Sequence, residues 1–478
     1  MAESSKQQKF IQGSAILIMS NFVIKGINFL LLPLYTNKLT PDLLGVSDSV
    51  SNLTSILFPL LVMGLDSAFS AFYFDERKED HYLKVYNTIR ITLLISSLVP
   101  VLIALGSKMI STILFHEDSY YILVSISLIS VSLNLWHLPF SLLARLRNRM
   151  GLFALVNTIS SLTMILLNIL FLTKLNLGVY SLVLSTALVQ LLQFILYELL
   201  LRARLDFSRF DKALQKRMLK YSLPLIPNAL AVWVLALSDR YIVLHYCGAD
   251  EVGLYGVAAR FATAVSLVAN GIYMSYTTFA FDKKGDSNDR EYYSKILNAF
   301  VLAIMFICLT ISMWSKEIIN IMAAKSYADT FYMIAPLLFS QLFYGINTLV
   351  GYAITFEKKS HYILIITSIG AVLNVVLNFI FVPMYGAVAA SYTTLTSYIA
   401  MVMATYYFAQ KTFYVNYDTV KIVSATVITM AASCLAVIMP VGMRAAVYVL
   451  LVLLVLKLFE SSVKDYFNQL KRGIKRWL

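Results

Sequence analysis

Five charged side chains stand out among those in the long apolar runs of this 478-residue chain: Lys25, Asp66, Asp239, Arg240 and Arg260. A charge at the centre of a bilayer costs about 2.5–3.5 kcal/mol even on the mildest insertion scale, so such residues face a protein interior or a water-filled cavity and mark binding sites or ion paths. The cations suit an anionic group. Arginine grips phosphate or carboxylate through two parallel hydrogen bonds, and lysine supplies a point charge. Lys25, Arg260 and Arg240 are therefore expected to form a cationic, substrate-binding cavity. The carboxylates suit a coupling ion, H+ or Na+, or a charge partner. Asp239 is placed to pair with Arg240 or Arg260, and Asp66 suits either a cation or a hydrogen bond near the membrane face. Asn374 and Asn378 stand one helical turn apart in a later apolar run, where amides ordinarily bond between helices. The loops hold no nucleophile triad, phosphate-cradling glycine loop or clustered metal ligands, so neither an enzyme nor a resident cofactor or metal is expected.

Those charges need a scaffold, and the composition specifies its kind. Hydrophobic residues make up 59% of the chain and charged residues 14%, against about 45–50% and 25% in soluble domains. Disorder, fibrous repeats and an ordinary cytosolic enzyme are excluded. Fourteen apolar runs are long enough to cross a bilayer: 11–35, 43–73, 88–106, 120–144, 151–172, 178–201, 221–246, 253–280, 294–314, 331–355, 362–382, 386–409, 420–440 and 443–460. The expected class is an all-α polytopic membrane protein with 14 transmembrane helices, the first acting as an uncleaved anchor. With both termini inside, thirty of the 39 Lys and Arg residues fall in inside segments, six outside and three within runs. That is the bias that orients membrane proteins. The +13 net charge is therefore mostly topology, not a nucleic-acid footprint. Cys247, Cys308 and Cys434 lie far apart and form no metal, redox or disulfide pattern. The tail over 457–477 reads as an inside amphipathic helix on anionic lipid.

The chain also repeats. "LTPDLLGVSDSV" (39–50) stands against "GADEVGLYGVAA" (248–259), pairing Asp42 with Asp250 and Gly45 with Gly253. A later pair of segments aligns Asn168 with Asn378 and Gly178 with Gly386. Runs 1–6 then recur as runs 7–12. Because six is even, the two copies are parallel repeats, a transporter design with the binding site at the repeat interface. The expected organisation is a six-helix lobe over 1–210, a second over 211–415, and two appended helices with a basic tail over 416–478.

Three segments carry a resemblance: "LLPLYTNKLTPDLLGVSD" (31–48), "DRYIVLHYCGADEVGLYGVAARF" (239–261) and "LPFSLLARLRNRMGLFALVNTISSL" (138–162). With the repeat, the chain resembles the MATE-like polysaccharide flippases of the MOP superfamily, nearest the Wzx-type O-antigen and capsule oligosaccharide-lipid flippases. The resemblance implies a substrate: undecaprenyl-pyrophosphate-linked oligosaccharide, moved from the inner to the outer leaflet of the cytoplasmic membrane by alternating access for O-antigen, capsule or exopolysaccharide assembly. Membrane lipids and other polysaccharide assembly proteins are the partners it implies, and nucleic acid is not among them. Pyrophosphate is what the cations would meet. Asn374 and Asn378 become candidates for sugar contact, and the last two helices for a lipid-tail groove. Lipid II flippases of this fold carry essential cavity cations in spans 1 and 8, which Lys25 and Arg260 resemble in span and depth. Lys replaces Arg in the first, and no cation sits midway along span 2. The alternatives are an ion-coupled small-molecule or drug exporter, or a lipid II flippase, of the same fold. A membrane glycosyltransferase, polymerase or ligase would need a large outside loop or an acidic catalytic motif.

Overall fold

A computed structural model describes residues 29–75, 78–282, 289–357 and 359–460. Among them no strand occurs. The main helices are α1 (Leu32–Lys38), α2 (Pro41–Val62), α3 (Leu65–Phe72), α4 (Glu79–Ser96), α5 (Leu98–Ala104), α6 (Ser107–Phe115), α7 (Tyr121–Leu146), α8 (Met150–Ile169), α9 (Tyr180–Leu201), α10 (Lys212–Ser222), α11 (Ile226–Cys247), α12 (Ala249–Asp282), α13 (Asp289–Met313), α14 (Ser315–Met322), α15 (Phe331–Phe356), α16 (Ser360–Thr412), α17 (Thr419–Leu435) and α18 (Val441–Leu458). Hydrocarbon offers a backbone no hydrogen bonds, so a spanning chain must satisfy them within its own helices. Twelve helical segments among the described residues are long and apolar enough to span. Large apolar side chains such as Leu102, Leu166 and Leu450, each more than half exposed, point outward along them. Most of the expected first span, including Lys25, lies outside the described residues, as does nearly all of the basic tail.

One of the twelve, His361–Thr412, is 52 residues long. It is not one rod, because Gly386 breaks it at φ 65°, ψ −154°. Asn374 Nδ2 donates to Thr394 Oγ1 at 3.2 Å, although twenty residues of straight helix would put them about 30 Å apart. The chain therefore doubles back at Gly386, and α16 supplies both runs expected over 362–382 and 386–409. A φ near +65° costs glycine little and strains most other residues.

Contacts divide the chain into two compact units, Met1–Gly253 and Leu254–Leu478. The segment after 201 docks back on α4, where Asp206 N–H donates to Asn87 Oδ1 at 2.9 Å, Asp211 N–H to Thr88 Oγ1 at 3.2 Å and Gln215 Nε2 to Thr92 Oγ1 at 2.9 Å. The seventh span, α11, packs on α2. In the first unit α7 is the central helix, touching α2, α4, α5, α6, α8 and α9. In the second, α15 packs against α13, α14, α16 and α17.

Two cations that the sequence reading counts as orientation charges are buried. Arg90, 6% exposed, bonds Glu198 Oε2 at 2.8 Å and the Ala203 carbonyl at 2.6 Å, with its guanidinium 4.4 Å from the Phe140 ring centre. Arg444, 4% exposed, donates to Glu317 at 2.8 Å and to the Met313 carbonyl at 2.9 Å. Their partners lie more than a hundred residues away in sequence, a relation that local hydropathy does not register.

A close helix crossing in the first unit depends on two glycines. A Cβ on Gly45 would fall 1.8 Å from the Ala249 carbonyl oxygen, and one on Gly253 would fall 2.0 Å from that of Pro41. Overpacking a well-packed site typically costs about 1–3 kcal/mol. Gly45→Ala should therefore lower the melting temperature of the detergent-solubilised protein by several degrees, whereas Gly151→Ala, which meets open space, should leave it unchanged or raise it. The Glu317 pair has a pH signature. Hydrogen bonds from Arg444 hold the Glu317 carboxyl below its ordinary value, so the stabilisation is complete above the unfolded-state pKa of about 4.3 and is lost as pH falls through the lower folded-state value. Glu317→Gln should lower the melting temperature at pH 7 and flatten its fall below pH 4.5, measured by thermal unfolding across pH.

Candidate functional site

The first polar constellation is a seam between α2 and α11, both in the first unit. Ser49, Asn52 and Ser55 recur on α2 at a spacing of three, the period that keeps side chains on one helix face. Opposite them, Arg240 Nη1 donates to Asn52 Oδ1 at 3.1 Å, Tyr241 OH to the Ser49 carbonyl at 3.3 Å and Trp233 Nε1 to Ser55 Oγ at 2.9 Å. Asp239 is 1% exposed, and its Oδ1 accepts the Arg240 backbone N–H at 2.8 Å. Asn52 lies eleven residues into α2, about 16 Å along it, which places the seam deep in the apolar layer. Asn52 Nδ2 is buried with no hydrogen-bond partner among the described residues. Asn52 was missed from sequence because a lone amide amid serines carries no charge to flag it. Its spacing from Ser49 and Ser55 was the available signal.

The second constellation is a cleft of about 600 Å³, lined by Asp66, Ser67, Ser70, Arg145 and Tyr221 with Ala71, Leu142 and Leu146. A break in the second span makes it. Met63 and Gly64 both take left-handed backbone conformations between α2 and α3, and a Cβ on Gly64 would stand 2.9 Å from the Ser222 carbonyl oxygen. That break leaves Asp66 exposed in the first turn of α3. Asp66 and the Asn52–Arg240 seam are fourteen residues apart along the second span, about 20 Å of helix, so the two carboxylates singled out in the sequence serve different places. Among the described residues no group of three His, Cys, Asp or Glu side chains could hold a metal ion.

In the second unit, Arg260 is half-buried on α12, whose neighbouring Val257, Ala258, Phe261 and Ala262 are buried. Toward the other end of that helix lies an aromatic group that sequence reading did not single out. Tyr352 OH donates to Tyr273 OH at 3.2 Å, and Tyr276 meets Tyr352 edge-on at 5.1 Å and Tyr293 at 6.2 Å. Asn374 and Asn378 are 0% exposed. Asn378 Nδ2 donates to Asn374 Oδ1 at 3.0 Å, and Thr393 Oγ1 donates to Asn378 Oδ1 at 2.6 Å. Their amides tie the two halves of the α16 hairpin together. An apolar cavity of about 370 Å³ lies among α13, α15, the second half of α16 and α17, lined by Leu297, Phe343, Val402, Ile422, Val423 and Met430 among others. Its lining includes the thirteenth span and not the fourteenth.

Of the sequence-derived site residues, the first unit holds Asp66, Asp239 and Arg240, with Arg240 tied to α2 and Asp66 in the cleft. The second unit holds Arg260, Asn374 and Asn378. Lys25 lies outside the described residues.

A family model described as "Polysaccharide biosynthesis protein" matches residues 10–280, and a second, MatE, matches 224–380. The chain is similar in structure to the lipid II flippase MurJ in an inward closed conformation, with TM-score 0.70 and 17% identity over 95% of this chain and 99% of that one. It is also similar to an inward-facing multidrug resistance MATE family transporter of the MOP superfamily, with TM-score 0.69 and 12% identity over 82% of this chain and 94% of that one. A MOP superfamily transporter from Pyrococcus furiosus, whose binding pocket is described as reversed in polarity, aligns with TM-score 0.59 and 14% identity over 84% and 95%. At these identities the likeness establishes the fold. No curated protein matches the chain in sequence. The chain is a multi-pass membrane protein with the fold of MOP superfamily transporters, and it belongs to the polysaccharide biosynthesis protein family.

Proposed function

We propose that this protein is a flippase that carries undecaprenyl-pyrophosphate-linked oligosaccharide from the inner to the outer leaflet of the cytoplasmic membrane by alternating access, with both termini cytoplasmic. The observation that carries the reading is the three cations left inside the apolar segments once Arg90 and Arg444 are assigned to carboxylates: Lys25, Arg240 and Arg260, set among Asp48, Asp66 and Asp239. A pyrophosphate crossing hydrocarbon must exchange its hydration for fixed donors, and guanidinium and ammonium groups are the strongest available. Arg240, held against Asn52, would present its guanidinium in a set orientation. The apolar cavity of the second unit offers a lodging for part of an isoprenoid tail. The exposed Asp66 is the carboxylate that a coupling H+ or Na+ would reach.

The parallel-repeat reading is supported by the glycine crossing: matched residues Gly45 and Gly253 each press on the other helix's first turn, a reciprocity that two copies of one segment produce. The family description favours a polysaccharide precursor over a drug. A drug exporter of the same fold is the second reading, and a cationic rather than acidic path disfavours it for cationic drugs. A lipid-linked glycan whose sugar differs from that of lipid II separates the third. Neither reading requires bond-breaking chemistry.

The test is leaflet-to-leaflet transfer of a pyrophosphate-linked glycolipid in proteoliposomes. A hydrogen bond to a charged group is worth about 1.5–3 kcal/mol, so Lys25→Ala and Arg260→Ala should each slow transfer by about tenfold or more while the protein still elutes as a folded species, and Lys25→Arg should retain most of it. Wild-type rates in both alanine variants would sink the cationic path.

A further inference from the structure

The segment joining α9 to α11 is counted by the sequence as a basic loop, yet residues Lys212–Ser222 form the helix α10. Its apolar stripe is Leu214 and Met218, 2% and 0% exposed, set into the core that contains Phe69, Tyr86, Phe140 and Tyr197. The opposite stripe, Lys212, Lys216, Arg217 and Lys220, is exposed. A free interfacial helix would sink its apolar face into the bilayer. Here that face is already used by the protein, so only the cationic face is available to a partner.

Helix length places that face. The run Lys212–Cys247 is 36 residues, about 54 Å of helix, whereas the hydrocarbon core is about 30 Å thick. α11 alone, with 22 residues, fills it at about 33 Å. The eleven residues of α10 therefore fall beyond the hydrocarbon, at the depth of the lipid headgroups. Asp66 lies in the cleft beside Tyr221, at the far end of α10 from Lys212, and the carboxylates at its near end are engaged elsewhere. Asp211 Oδ1 caps the helix by accepting the Leu214 N–H at 2.9 Å, Asp206 accepts from Ser208 and Arg209, and Asp80 bonds Arg209 and Lys84. No acid stands in the exposed stripe of α10 itself.

We infer that α10 is a docking surface for the headgroups of anionic phospholipids, held electrostatically and without insertion. The inference is independent of what the protein transports. Because α10 is bonded to α4 through Gln215 and Thr92 and abuts the span break at Gly64, a bound headgroup layer would hold that end of the first unit at a fixed depth.

Ala213 is exposed on the same face, three and four residues before Lys216 and Arg217. The full chain, with Cys247→Ser and Cys434→Ser (Cys308 being buried), can carry a bimane fluorophore at Ala213→Cys and be reconstituted with nitroxide quencher near the headgroup, as 5-doxyl-phosphatidylglycerol or 5-doxyl-phosphatidylcholine at equal mole fraction. Each Lys or Arg near an anionic surface contributes about fivefold in affinity at low salt, so quenching by the glycerol lipid should exceed that by the choline lipid by about threefold or more. The excess should fall to parity in Lys216→Gln/Arg217→Gln/Lys220→Gln and, for the unaltered stripe, in 0.5 M NaCl, where the Debye length shrinks to about 4 Å. Parity at low salt with the stripe intact would overturn the proposal, as would an excess that survives high salt or the triple variant. The salt arm decides the matter even if the triple variant fails to fold.

Discussion

Hydrocarbon gives a polar group nothing to bond with, and most of what is specific in this molecule answers that constraint. Several buried polar side chains are met by partners beyond their own helix: Arg90 by Glu198 and the Ala203 carbonyl, Arg444 by Glu317 and the Met313 carbonyl, and Asn378 by Thr393 across the Gly386 turn, while the half-buried Arg240 is met by Asn52. Leaving a buried charge without its partner costs about 3–5 kcal/mol, while replacing a whole buried pair by apolar groups is often neutral. These pairs therefore fix which helix faces which and at what register more than they add to stability. In a membrane, where helices gain no hydrophobic drive from meeting each other, that directional role is greater.

Backbone irregularity does complementary work. Apolar helices of this length would pass straight through the bilayer, so the places where the chain departs from a rod are where polar surface can open. The left-handed pair Met63 and Gly64 splits the second span and exposes Asp66 beside Ser67 and Ser70. Gly386 turns one 52-residue run into a hairpin closed by asparagine and threonine. The Leu223–Leu225 turn, with Pro224 inside it, separates a helix at the headgroups from one in the hydrocarbon. At Gly64 and Gly386 the residue type permits the positive φ, at Pro224 the helical ladder is interrupted anyway, and Met63 takes its left-handed conformation without that freedom.

What the sequence made legible follows from the range over which its signals act. Hydropathy is read over about twenty residues, so the helical class and the described spans were readable, and Gly386 was marked as the start of a new run. The amphipathic α10 was not readable. Its apolar stripe is only Leu214 and Met218 among four cations, and what makes it a helix seat is a core assembled from Phe69, Tyr86 and Phe140 elsewhere in the chain. For the same reason Arg90 and Arg444 passed as orientation charges, since a count by loop cannot see Glu198 or Glu317. Charges deep in a run, Arg240 and Arg260, were flagged by their cost alone. The serine–asparagine face of α2, which holds Arg240, carries no such cost per residue and went unremarked.

The buried Arg90 links the interior of the first unit to its surface. Its guanidinium reaches Glu198 on α9 and the Ala203 carbonyl just beyond it, on either side of Arg202, whose left-handed backbone ends α9. One side chain thus sets both where the sixth span stops and where the following strand of linker begins. From there Asn87, Thr88 and Thr92, at intervals of one and four along α4, take the linker's bonds in order. They deliver Lys212 at the start of α10 with Leu214 and Met218 facing inward, so the outward direction of the four cations is not a separate feature of the surface. It follows from a register set by the bonds that Arg90, Asn87, Thr88 and Thr92 make with the linker and α10.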